Sequence, residues 1–158
     1  MVISLDERTA ETVKVYFERA QHPLIRAMLP QKAQSVEEAL DDYRKTLRPT
    51  ATSFGRIIRM DGNYVGDVWC YCIDKAEAPN AMLSYCVFDA SCWNRGIATK
   101  AVSLFLEEAR ARYALRTIGA FTFSENRASC TVLEKNGFTC LEEFVENGKA
   151  SKYYQRSF

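Results

Sequence analysis

Along the chain the apolar positions change period several times. A short apolar run at residues 2–5 predicts a first strand. In residues 11–20, Val13, Phe17 and Ala20 recur on one side of a helix, and His22-Pro23 interrupts it. Ser35-Val36-Glu37-Glu38 has the capping-box pattern and predicts a helix to about Leu47, stopped by Pro49. The middle of the chain then turns strand-like at residues 53–60, 64–73 and 82–87. Asp61-Gly62-Asn63 and Pro79-Asn80 separate these runs, so an antiparallel meander is expected.

Helical spacing returns at residues 96–113, where Ala98, Ala101, Val102, Phe105, Leu106 and Ala109 share a face. Residues 116–123 predict a strand. Residues 126–135 predict a helix closed by Asn136-Gly137. Two strands at 139–145 and 149–155 flank the hairpin signal Glu146-Asn147-Gly148. The order is strand, two helices, three strands, helix, strand, helix, two strands. It predicts an α/β fold of the α+β type, with helices on both faces of one mixed, mostly antiparallel sheet.

A chain of 158 residues fits a single domain, 1–158, with room for a real core. Its 21 basic and 20 acidic side chains nearly cancel, which gives no electrostatic case for nucleic acid or a membrane surface. No apolar run approaches the roughly 20 residues of a membrane helix, and the N-terminus lacks a basic-then-apolar leader. A cytoplasmic location is expected. The six cysteines show no CxxC spacing, and the single histidine, His22, is distant in sequence. No metal site and no disulfide are expected, and the thiols are expected to be buried small hydrophobes.

The candidate chemistry lies in Trp93-Asn94-Arg95-Gly96-Ile97-Ala98-Thr99, between a strand and the longest helix. A helix start leaves peptide N–H groups unpaired, and their dipoles favour an anion. Gly96 lets a ligand approach the backbone, Ala98 keeps the first turn open, and Arg95 adds charge. The alternative is that Gly96 only makes a turn and Ala98 only packs. The segment lacks the ending of a P-loop and the three glycines of a dinucleotide fold.

These residues resemble the acetyl-CoA loop of the GCN5-related N-acetyltransferases, with Trp93 where many members have Gln or Arg. Met82-Leu83-Ser84-Tyr85-Cys86-Val87 resembles the strand before that loop. Asp61-Gly62-Asn63-Tyr64-Val65-Gly66 resembles an earlier hairpin. Asn126-Arg127-Ala128-Ser129 followed by Leu133-Glu134-Lys135-Asn136-Gly137-Phe138 resembles the second motif. Trp93 and Thr99 suggest the RimJ/RimL-like branch, which acetylates ribosomal-protein N-termini. The resemblance spans residues 54 to the C-terminus. It implies a six- to seven-stranded sheet whose central strands splay, and acetyl-CoA as co-substrate.

The resemblance also implies roles. A main-chain N–H at Cys86 or Val87 polarises the thioester carbonyl. Asn126 meets the CoA arm or only caps its helix. The usual tyrosine acid is replaced by Leu133, which leaves Ser129 as a proton relay or hydrogen-bond donor to the thiolate, or as a serine bonding its own backbone. The general base stays open among Glu125, Glu143, Glu146, His22 and a water relay. The acceptor groove is implied at residues 21–47 and 144–153. There Glu37, Glu38, Asp41 and Asp42 form an acidic wall for a cationic amine, or only a solvated helix face. Tyr43, Tyr153 and Tyr154 line the groove or fill the core. The implied acceptor is a peptide N-terminus, a polyamine or another small amine, and the protein a monomer or homodimer. A CoA-binding or protein-interaction module without turnover is the alternative reading.

Overall fold

The computed structural model describes all 158 residues. One seven-stranded sheet runs through the molecule in the order β1-β2-β3-β4-β5-β7-β6. Its strands are β1 (Ile3–Glu7), β2 (Phe54–Met60), β3 (Asn63–Asp74), β4 (Asn80–Val87), β5 (Thr117–Phe123), β6 (Thr139–Glu146) and β7 (Lys149–Ser157). Every neighbouring pair is antiparallel except β4 and β5.

The helices are α1 (Ala10–Arg19), α2 (Pro23–Met28), α3 (Val36–Thr46), α4 (Ile97–Tyr113) and α5 (Arg127–Lys135). The sequence predicts two helices before the meander, and three are present. Pro23 starts α2 instead of merely ending α1, because proline at the first helical position sacrifices only an N–H that has no intrahelical partner. His22 caps α2, its Nδ1 accepting from the Leu24 N–H at 3.2 Å. That bond ties its ring to a local turn.

The two sheet faces are filled unequally. Under α4 and α5 lies a cluster of 22 buried residues, built around Phe105, Leu106, Val68, Leu83 and Ile118. The α4 stripe buries Ile97, Ala101, Val102, Phe105, Leu106 and Ala109, one turn of spacing apart, while Ala98 stays partly exposed at the helix start. Leu133 and Tyr154 belong to this core. Against α1 and α2 the buried cluster is only Ala20, Ile25, Cys86 and Phe88.

The β4–β5 pairing stops early. Only Asn80–Thr117, Ala81–Ile118 and Met82–Gly119 are partners. Beyond Met82, β4 continues on β3 to Val87, and β5 continues on β7 to Phe123. The strands therefore diverge, and the edges of Leu83–Val87 and Ala120–Phe123 face a gap.

Candidate active site

Four helices begin under a side-chain cap: Thr9 on α1, His22 on α2, Ser35 on α3 and Asn126 on α5. The longest, α4, has none. Its first internal bond runs from the Lys100 N–H to the Gly96 carbonyl at 3.1 Å. The peptide N–H groups of residues 94–99 have no acceptor in the protein. Asn94 and Gly96 both take positive φ, 61° and 78°. Alternating hands along a short loop aim successive N–H groups toward one side, the geometry of an anion nest. Nothing lies within 4 Å of the space above Gly96. Arg95 and the loop around it are exposed. Stacked N–H dipoles, an open surface and an unpaired guanidinium are what a diphosphate needs, so these residues fit the pyrophosphate of CoA.

Trp93 connects this loop to the gap. Its indole Nε1 donates to the Val87 carbonyl at 2.7 Å. Residues in an antiparallel pair alternate between aiming both main-chain groups at the partner and aiming both away. The Phe88 N–H donates to the Val65 carbonyl at 2.9 Å. Cys86, two residues back and opposite Asp67, therefore also faces β3. Of the two expected polarising positions, the Cys86 N–H is committed to the β3 ladder. The Val87 N–H points into the gap beside its tethered carbonyl. The Cys86 side chain sits in the small α1 cluster, where burial pushes its thiol up to about 12.

On the α5 side of the gap, Asn126 Oδ1 accepts from the Ser129 N–H at 3.2 Å, so Asn126 is the cap of α5. Ser129 meets Tyr85 from β4. The Tyr85 hydroxyl donates to the Ser129 carbonyl at 3.1 Å and lies 2.8 Å from Ser129 Oγ. Burial raises the Tyr85 pKa, which keeps the phenol protonated; the bond to Ser129 acts the other way. Sequence reasoning missed Tyr85. Its only signal was its place on the strand before the loop, two residues from Val87.

The other side of the sheet holds a cavity of about 750 Å³ between α1, α3 and strands β3 and β4. Asp67 lies buried at its base, bonded by Arg8 Nε at 2.9 Å and by the Tyr64 hydroxyl. Burial raises the Asp67 pKa, and the Arg8 charge and the two donors pull it back. Tyr43 lines the cavity with its hydroxyl on the Arg8 carbonyl at 3.2 Å. Tyr153 lies over Gly119, where an added Cβ would meet its hydroxyl at 2.6 Å and the Met82 sulfur at 3.0 Å. Gly119 thus leaves room for Tyr153 at the point where β4 and β5 part.

Of the two readings of the α3 acids, the solvated helix face fits and the acidic wall does not. Glu37, Glu38 and Asp41 do not line the cavity, and Asp42, which does, lies 3.7 Å from Lys32 and 3.8 Å from Lys45. The reason is the cap: Glu38 belongs to the first turn of α3 and turns back to the Gln34 N–H. Among the base candidates, Glu125 pairs with Lys149 at 3.0 Å and Glu143 with Lys152 at 3.5 Å, while Glu146 is exposed. All six cysteines are free, but Cys72 and Cys140 are exposed instead of buried. Cys72 has φ 50°, at an irregularity in the β3–β4 register, which turns it out of the core. No group of three or more His, Cys, Asp or Glu side chains is placed to hold a metal ion. No helix is long and apolar enough to cross a membrane.

Residues 5–139 match the sequence profile of the acetyltransferase (GNAT) domain. No curated protein sequence matches the chain. Among solved structures, a spermidine N-acetyltransferase from Vibrio cholerae with CoA and spermine superposes with a TM-score of 0.84 at 15% identity, over 98% of this chain and 95% of that one. The aminoglycoside acetyltransferase AAC(6')-Ib with coenzyme A gives 0.81 at 14%, over 99% and 95%. RimL, a ribosomal L7/L12 alpha-N-protein acetyltransferase with coenzyme A, gives 0.81 at 18%, over 100% and 95%. At these identities the likeness is one of fold.

Proposed function

Because this chain belongs to the GNAT acetyltransferase family, whose co-substrate is acetyl-CoA, we propose that it moves an acetyl group to a primary amine by direct attack. The observation that carries the reading is the uncapped start of α4, with N–H groups of residues 94–99 open beside a gap in the sheet.

Acetyl-CoA supplies an activated thioester. The chain supplies position and charge. Asn94, Arg95, Gly96, Ile97, Ala98 and Thr99 hold the diphosphate through main-chain donors, with Arg95 adding a cation. The Val87 N–H, fixed because Trp93 pins the same peptide unit's neighbour, donates where negative charge grows on the carbonyl oxygen. The amine nitrogen bonds to the carbonyl carbon, the carbon–sulfur bond breaks, and sulfur leaves with the electron pair. A proton must leave the amine and another must reach the sulfur. Ser129 and Tyr85, joined at 2.8 Å on the α5 side of the gap, are placed to hydrogen-bond the departing thiolate and pass a proton along their hydroxyls. Asn126 fixes the turn that presents Ser129.

Trp93 in the loop and Leu133 in place of a tyrosine favour the RimJ/RimL-like branch. The whole chain acts as one catalytic domain, as monomer or homodimer. Six unpaired thiols suit a reducing, cytoplasmic setting. The test is calorimetry with acetyl-CoA, followed by thiol release over a panel of amines. Binding with release on at least one amine supports the proposal. Absence of acetyl-CoA binding at high micromolar concentration ends it. Tight binding with no release on any amine selects the binding module instead.

A further inference from the structure

We infer that the cavity between α1, α3 and the β3–β4 strands takes a small amine that carries an anionic group on an apolar body, not a polycation. This rests on the acetyltransferase reading and deepens it by naming the acceptor class. The lining holds four cations, Arg8, Lys32, Lys45 and Arg48, and two carboxylates, Asp42 and Asp67. Both carboxylates are already engaged. Asp67 is bonded by Arg8 and Tyr64, and Asp42 is shared by Lys32 and Lys45. Arg48 has no carboxylate partner. Two positive charges are therefore in excess. A cleft lined by one sign of charge concentrates ligands of the other sign. A polyamine would bring its second and third ammonium groups against Lys45 and Arg48, with no free carboxylate to meet them.

The Tyr16 ring lines the cavity while its hydroxyl is buried beside the Cys86 thiol, so it offers the cavity apolar surface. The rest of the wall suits an apolar or aromatic body. Trp69 and Tyr71 come from β3, and Phe17 and Leu29 from the helices. Ser84 brings the cavity to β4, the strand whose far edge opens on the gap. An amine seated at β4 thus points its anionic end back toward α3. A volume of about 750 Å³ matches a small molecule.

The experiment uses the full chain saturated with CoA. Calorimetry measures phenylalanine against phenethylamine and tryptophan against tryptamine, pairs that differ by one carboxylate, with spermidine as the polycation. The double variant Lys45→Glu/Arg48→Glu changes only exposed side chains. The expected result is that each carboxylate-bearing amine binds roughly tenfold or more tightly than its decarboxylated partner. That advantage shrinks at high salt and disappears in the double variant, and spermidine does not bind. Equal binding within both pairs, no binding of any of the four, or spermidine binding most tightly overturns the inference. Acetyl-CoA binding, measured separately, tells the two failures apart. If it is lost, the acetyltransferase reading falls. If it persists while polycations are preferred, only the acceptor class falls.

Discussion

The two faces of the sheet are built to different rules. On the α4–α5 face, 22 buried residues form one apolar core, and the candidate co-substrate site is made of main-chain groups at its rim. On the α1–α3 face, four buried residues sit beside a large cavity whose wall is made of charged and aromatic side chains. In the proposed function, main-chain donors carried on a rigid core bind a group common to every turnover. Side chains around a thinly packed cavity set what else can enter, and they can change without disturbing the core. On the proposed reading, stability and co-substrate recognition share one face, while acceptor choice has the other largely to itself.

The strongest way to break this contrast is to compare deletions in the two cores. Phe105 is fully buried and stacks on Phe54 with ring centroids 5.6 Å apart. Phe105→Ala is expected to cost about 3–5 kcal/mol in urea unfolding. Ile25→Ala, in the small cluster, is expected to cost about 2 kcal/mol, because the cavity-side packing can relax. Equal losses would contradict the division between faces.

A smaller effect sharpens the link between loop and gap. Trp93→Phe removes the donor to the Val87 carbonyl but keeps a ring. It is expected to weaken CoA binding and lower acetyl transfer about tenfold, with the melting temperature nearly unchanged. Tyr85→Phe removes the donor to Ser129. It is expected to lower kcat several-fold, with KM for the amine little altered, since the change falls on the α5 side of the gap.

The smallest effect concerns the thiols. Burial pushes Cys70 and Cys86 up to about 12, so both stay protonated in the folded protein at pH 8. Iodoacetamide is expected to label Cys72 and Cys140 alone, by mass spectrometry of the native protein. The unfolded chain loses these two protons near pH 9, before the folded one does. Stability therefore falls as pH rises from about 9 to 12, and Cys86→Ala reduces the slope.

How much of this was legible in the sequence follows the same division. The strands, the long helix and the loop before it were readable, because turn residues and apolar period act over short stretches. Even there, His22-Pro23 reads as a break, whereas Pro23 opens α2. The candidate main-chain site was readable because Gly96 and the helix start are neighbours in the chain. The arrangement around the cavity was not. Arg8 and Asp67 are 59 positions apart, and Tyr85 and Ser129 are 44 apart. Acids at helical spacing in α3 suggested a wall that the capping turn and two lysines dismantle. Nothing local marks which of Cys86 and Val87 faces the gap, since that depends on the register with β3.

The central claim is that peptide donors at the start of α4 grip the diphosphate of CoA. Calorimetry of CoA with the wild-type chain and with Gly96→Asp tests it most directly, with circular dichroism to show that both are folded. The variant adds a carboxylate to a residue at φ 78°, in open space beside the loop's N–H groups. A like charge about 4 Å from a phosphate costs about 4 kcal/mol near a protein surface, so binding is expected to fall at least about 100-fold. A folded Gly96→Asp protein that binds CoA as tightly as the wild type would contradict the account.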